Sequence, residues 1–370
     1  MTQIEKEFFL ELCKWKHAEE AVLIRCLDLG ADTPVVLGQL FYNRMAGVAY
    51  TVLQQFGLLS KTHREFRTAL KNTWLQNKAK NESYFQCLQM LNQVLQNCKG
   101  KFAMLKGAYL CKWYPKGCRT SNDVDLLVDG KDVSAIGEAL EAAGFRQGSI
   151  QNEKFVPATR QEIITSRMTR GETVPYIKEV DLPFFKYLEV DVNFSPDYKQ
   201  SKDPIVSQWI ATTKEVTVDD LTITTLQPCD FFIHLCQHLY KEATTYPWVE
   251  MKRDMTLYKF CDIYGLVQDW TTEDWKRLVE QAKTCRMEAP CYYALAMTKE
   301  LFAMEGEGLE ACLAQLVPKE PGFLQRVVHP KEKKNYYYTM EDVKERFFAA
   351  DRAKLLKEGE QNATITYATQ

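Results

Sequence analysis

The chain has no C-x-x-C pair, although it carries twelve cysteines among 370 residues. Spacings such as Cys111 to Cys118 and Cys229 to Cys236 match neither structural zinc sites nor dithiol redox motifs. No run of 18 apolar residues is present, which argues against a membrane-spanning helix. The opening MTQIEKEFFL shows no signal-peptide pattern. The expectation is a soluble protein of a reducing, cytoplasmic compartment, with thiols that mostly fill the core. An excess of positive charge is also missing: 47 Lys and Arg against 49 Asp and Glu leave a net charge of −2. A chain-wide footprint for long nucleic acid is thereby disfavoured. There are no internal repeats and no low-complexity tracts. What is present is an ordinary globular balance, 46% apolar and 26% charged, long enough for two or three domains.

The hydrophobic periodicity predicts an α+β protein in three parts: helical 1–98, a core at 99–203 and helical 204–370. In the first part Phe8, Phe9, Leu12, Cys13 and Trp15 begin an apolar stripe. One helix is expected over 35–56, ending at Gly57, and two more between 62 and 98, with Leu88, Leu91, Val94 and Leu95 at helical spacing. The Asn, Gln, Lys and Arg side chains there read as a solvated face. In the core, 174–180 and 186–194 alternate like strands, whereas 152–171 has no clear period and reads as a substrate-covering loop or an irregular insertion. From 204 to 316 helix is expected throughout: one opening at Pro228, one over 247–266, one starting near Thr272, then 288–303 and 308–316. Beyond Pro318 a polar stretch holds a helix near 341–358 and a frayed tail, QNATITYATQ.

The most informative stretch is KFAMLKGAYLCKWYPKGCRTSNDVDLLVD, residues 101–129. Between Lys99 and Arg119 lie six basic residues and no acidic one; Asp123, Asp125, Asp129 and Asp132 follow at once. Residues i and i+2 of a strand share a face, so Asp123 and Asp125 project side by side. Two such carboxylates at the end of an apolar strand call for a positive partner, most simply a divalent metal bound to phosphate. The strand YLEVDVNF puts Glu189, Asp191 and Asn193 on one face and Leu188, Val190 and Val192 on the other. If this strand lies beside the first, Asp191 completes a triad, with Glu189 as its rival. His234 and His238 share a helix face one turn beyond Asp230, but the H-E-x-x-H glutamate and a third ligand are missing. Helix packing is the simpler reading, with a nucleotide contact by His234 left open. Lys252 and Lys259 read as a solvated face or as phosphate contacts from the C-terminal helices.

Taken in order, Lys106-Gly107, Arg119 and Asp123-Val124-Asp125-Leu126-Leu127-Val128 resemble the nucleotidyltransferases of the DNA polymerase β superfamily. Over about residues 35 to 270 the chain is similar to the bacterial family of uncharacterised nucleotidyltransferases, with its LKG strand and R-x-x-x-D-h-D-L-L-V strand. The resemblance implies a small mixed sheet flanked by helices. It also implies two-metal transfer of a nucleotidyl group from a nucleoside triphosphate, with pyrophosphate leaving. Asp123, Asp125 and Asp191 match the metal-binding and catalytic carboxylates. Gly107 matches the glycine close to the phosphates, and Lys106 and Arg119 sit where phosphate contacts belong. Mg²⁺ is the expected cofactor, with Mn²⁺ as a substitute, and ATP the simplest substrate. The acceptor class (small molecule, sugar, peptide or protein, RNA end) stays open. Two departures stand out: Ala108 where a Gly-Gly or Gly-Ser pair is usual, and Asn193 where a histidine is common. The rival readings are a toxin-like transferase acting on tRNA or protein, and a nucleotide-binding fold without chemistry.

Overall fold

The computed structural model describes residues 1–197, 204–218 and 221–359; the tail expected to fray lies outside them. The chain divides into two compact units, Lys71–Phe231 and Met1–Leu70 with Phe232–Gln370. The fold is α+β.

The N-terminal stretch forms α1 (Gln3–Leu12), α2 (Glu20–Asp28), α3 (Thr33–Tyr42) and α4 (Ala46–Gln55). The start of α1 is held by a capping box, in which Thr2 and Glu5 satisfy each other's backbone N–H groups. The single helix expected over 35–56 is two. Arg44 takes φ 59°, and Asn43 turns its side chain inward, accepting the Leu257 N–H at 2.9 Å. A buried asparagine needs such a partner, because leaving its polar atoms unpaired is costly.

The two helices expected between 62 and 98 are one, α5 (Arg64–Gln96), 33 residues long. The interval contains neither glycine nor proline, so nothing breaks it. In the Lys71–Phe231 unit its residues Tyr84, Leu88, Leu91 and Leu95 are buried at helical spacing. They pack in one apolar cluster with residues of the sheet that follows. That sheet consists of β1 (Phe102–Met104), β2 (Asp123–Val128), β3 (Arg146–Gln151), β4 (Lys154–Pro157), β5 (Tyr176–Leu182) and β6 (Phe185–Asn193). Its order is β1-β2-β6-β5-β3-β4. Only the β2–β6 pair is parallel; the others are antiparallel. Between the strands lie α6 (Gly107–Trp113), α7 (Val133–Ala142) and α8 (Arg160–Thr169). The stretch at 152–171 is therefore not a structureless loop. It holds β4 and α8, and α8 opens on a capping box between Thr159 and Glu162. After α9 (Ile205–Ala211) comes a hairpin, β7 (Lys214–Val218) and β8 (Leu221–Thr225), where helix was expected. Leu221 and Ile223 join the apolar cluster, and the Thr225 hydroxyl donates to the Met104 carbonyl at 2.7 Å.

The helix α10 (Pro228–Ala243) leads into the C-terminal part. The helix expected over 247–266 is divided into α11 (Tyr246–Glu250) and α12 (Leu257–Val267), with Lys252 at φ 58° between them. Then follow α13 (Thr272–Thr284), α14 (Glu288–Phe302), α15 (Glu307–Leu316) and the short α16 (Val343–Phe348). The helix expected near 341–358 reduces to α16. The chain instead forms a three-stranded antiparallel sheet of β9 (Arg326–His329), β10 (Lys334–Tyr338) and β11 (Leu356–Glu358). Beyond α16, Arg352 opens a 3-10 turn (Arg352–Leu355) and grips the fully buried Asp254 with two hydrogen bonds of 2.6 and 2.7 Å. No helix among the described residues is long and apolar enough to cross a membrane.

Candidate active site

Alternation in β2 and β6 builds the site. Val124, Leu126 and Val128, with Leu188, Val190 and Val192, point into the apolar cluster. Asp123 and Asp125, with Glu189 and Asp191, are left on the opposite face. The parallel register sets Asp123 beside Glu189 and Asp125 beside Asp191. Four carboxylates thus stand in two adjacent rungs. Asn193 follows on the same face, opposite Leu127.

Lys106 comes next. The Leu105 N–H donates to the Asp125 carbonyl at 2.9 Å, ending the pairing of β1 with β2. Lys106 then turns the chain into α6, and its Nζ donates to Asp125 Oδ1 at 2.6 Å. Asp125 is buried and Lys106 half-buried. Gly107 opens α6 under close contact: a Cβ there would lie 2.4 Å from Ser121 Oγ and 2.6 Å from Ser121 Cβ. Only a glycine fits this approach without displacing Ser121. The Ser121 hydroxyl donates to Asp123 Oδ1 at 2.9 Å, which orients the first carboxylate. Ser121 was not singled out from the sequence, although a hydroxyl two residues before an aspartate is a recognisable local signal.

The loop that carries Arg119, Ser121 and Asp123 is clamped by α5. Asn81, fully buried, accepts the Gly117 N–H at 2.8 Å and donates to the Arg119 carbonyl at 2.9 Å. Asn77 donates to the Gly117 carbonyl at 3.1 Å, Lys80 to the Asn122 side chain, and the Tyr84 hydroxyl to the Asp123 carbonyl at 3.0 Å. The face of α5 taken as solvated is here a clamp. Its signal was present: Asn77 and Asn81 continue the stripe of Tyr84, Leu88, Leu91 and Leu95, and polar residues at core positions need partners. Gly117 has φ 89°, and a Cβ on it would lie 2.7 Å from the Trp74 ring. Arg119 donates to the Thr120 carbonyl at 2.6 Å.

The electrostatics follow from four acids sharing one face. Burial, then the charges of Asp125, Asp123 and Glu189, hold the Asp191 carboxyl well above the ordinary range, against a smaller opposite pull from Lys106. Burial and the charges of Asp123 and Asp125 push Glu189 up as well. For Lys106, burial alone would lower the ammonium's pKa. The charge and hydrogen bond of Asp125, with Asp123 and Asp191 behind, outweigh it and raise the value. Among the described residues, Lys106 is the cation whose charge acts on these acids against their mutual repulsion. No three His, Cys, Asp or Glu side chains among the described residues already form a group that could hold a metal ion. The donor chemistry nevertheless suits one: adjacent carboxylates, all oxygen, match a hard divalent cation such as Mg²⁺.

The remaining sequence-predicted residues belong to the other unit. His234 is buried on α10. Lys252 is exposed at the turn after α11, its carbonyl accepting the Tyr42 hydroxyl. Lys259 on α12 is buried and ion-paired with Glu242, so it is not part of a solvated face.

Residues 30–303 match the model of a protein family described as uncharacterised nucleotidyltransferase. The matched span contains Lys106, Asp123, Asp125 and Asp191. No curated protein sequence matches the chain.

Proposed function

The chain belongs to the uncharacterised nucleotidyltransferase family, and we propose that it moves a nucleoside monophosphate, most simply AMP from ATP, onto an acceptor hydroxyl. The observation that carries this reading is the pair of acid rungs on β2 and β6, with Lys106 beside them. Asp123, Asp125 and Asp191 would hold Mg²⁺, which, when bound, offsets charge on the phosphate oxygens and makes the acceptor hydroxyl more acidic. The acceptor oxygen bonds to the α-phosphorus, the bond from that phosphorus to the bridging oxygen breaks, and pyrophosphate leaves with the electron pair. Asp191 is the carboxylate assigned to receive the hydroxyl proton. Lys106 and Arg119 meet the β- and γ-phosphate oxygens, and Gly107 lets the backbone of α6 come close to them. Ser121 keeps Asp123 in the orientation that this requires. The near-zero net charge favours a small molecule or a peptide as acceptor over a long polynucleotide.

The test is incubation with each α-labelled nucleoside triphosphate, Mg²⁺ and fractionated cell extract. A labelled product and stoichiometric pyrophosphate are expected, and the labelled fraction identifies the acceptor class. Asp123→Asn combined with Asp125→Asn should lower labelling at least roughly 100-fold with an unchanged circular dichroism spectrum. Triphosphate binding without pyrophosphate release, whatever the acceptor pool, would overturn the catalytic reading.

A further inference from the structure

Lys106 adopts a backbone conformation that side-chain-bearing residues rarely occupy, φ 43° and ψ −110°. The reason is local. Strand β1 is fixed by its pairing with β2, Met104 lying against Leu126. Helix α6 is fixed one residue later by the contact of Gly107 with Ser121. Leu105 still donates its N–H to the Asp125 carbonyl, so the change of direction falls on Lys106. Glycine would relieve that strain, yet the position carries a lysine whose ammonium is delivered onto Asp125 Oδ1 at 2.6 Å. Asp125 is the most buried of the four acids, and its neighbours Asp123, Glu189 and Asp191 supply only like charge. An ammonium and a divalent cation cannot both sit against that carboxylate without strong mutual repulsion.

We propose that Lys106 is an exchangeable counter-ion. It neutralises Asp125 while no divalent cation is bound, and it leaves Oδ1 when a cation enters. Its ammonium then turns to the polyphosphate oxygens of the nucleoside triphosphate. This rests on the transferase reading above and adds a rule for how the site loads. Cation binding frees Lys106 for the phosphates, and phosphate binding draws Lys106 away from the cation's ligand. The two ligands therefore assist each other by the same factor in either order. The cation alone binds poorly, and the site selects the cation–nucleotide complex.

The experiment titrates the full chain with Mn²⁺, following free Mn²⁺ by electron paramagnetic resonance, with and without a non-hydrolysable ATP analogue. Lys106→Met keeps the stem and removes the charge. It should bind Mn²⁺ alone on the order of tenfold more tightly than the wild type and bind the analogue more weakly. The factor by which the analogue tightens Mn²⁺ should shrink. Lys106→Gln, which keeps a donor without the charge, should fall between the two and covers the case of a misfolded Met variant. Lys106 variants that bind Mn²⁺ no better than the wild type would make the lysine a fixed structural partner and overturn the inference, leaving the transferase reading intact. A wild type that takes up no Mn²⁺ even with the analogue, or an Asp125→Asn variant that binds it equally well, would overturn the cation assignment and the exchange together.

Discussion

A carboxyl group held above its ordinary range favours its protonated form in the folded state, so folding takes up protons. Burial and neighbouring acids put Asp191 and Glu189 in that condition. Their cost to the cation-free fold is absent below the ordinary carboxylate value, about pH 4. It grows as pH rises through the raised values and is complete above them. Asp191→Asn removes its share. In chelator-treated protein, the melting temperature of the variant minus that of the wild type should be near zero at about pH 4 and positive by a few degrees at about pH 8. Added Mg²⁺ should shrink the difference, because the cation offsets in the wild type the repulsion that the variant lacks. Thermal melts across this range check the sign, and a variant that is less stable at high pH sinks the electrostatic account. At this scale much was legible. Strand alternation alone put Asp123 and Asp125 on one face, and Asp191 on the face of Glu189. Ser121 was missed although its bond to Asp123 is local; only its contact with Gly107, fourteen residues earlier in the chain, was beyond reach of the sequence.

Helix α5 shows how an element serves two purposes at once. Its leucines bury against the sheet, and two to three turns earlier Asn81 and Asn77 continue the same stripe and hold the loop before β2. Asn81→Ala would leave the Gly117 N–H and the Arg119 carbonyl without this partner. It should cost about 1–3 kcal/mol in denaturant unfolding, while Gln86→Ala on the exposed face stays within about 0.5 kcal/mol. Gly117→Ala combines a left-handed backbone, φ 89°, with crowding against Trp74. It should cost about 1–2 kcal/mol and raise the KM for the triphosphate through misplacement of Arg119. Equal denaturation midpoints for wild type, Asn81→Ala and Gly117→Ala would show the clamp to be idle. The elements misjudged from sequence fail for related reasons. Asn77 and Asn81 of α5 read as solvated, but the loop before β2 supplies them with partners. The β7–β8 hairpin is rich in β-branched residues over only five positions per strand, too short a signal against the helical stretches on either side. The segment after α16 is tied down by Arg352, whose partner Asp254 lies about a hundred residues away in sequence.

Over the whole molecule the α+β class was legible, because long 3.6-residue stripes surround a short region of period two. The sheet order was not. The pairing of β2 with β6 joins segments separated by three strands and two helices, and only packing decides it. That pairing also localises what a cation can do. A ligand held by β2 and β6 stabilises the structure around its own contacts first, since opening free energies differ from segment to segment. Hydrogen exchange read by mass spectrometry should therefore show slower exchange on adding Mg²⁺ in peptides from β1, α6, β2 and β6. Peptides from β9, β10 and β11 should be nearly unaffected. Asp125→Asn should remove the protection while leaving the cation-free pattern close to that of the wild type. Protection spread evenly over both units, or retained in Asp125→Asn, would mean that the cation acts somewhere other than the two acid rungs.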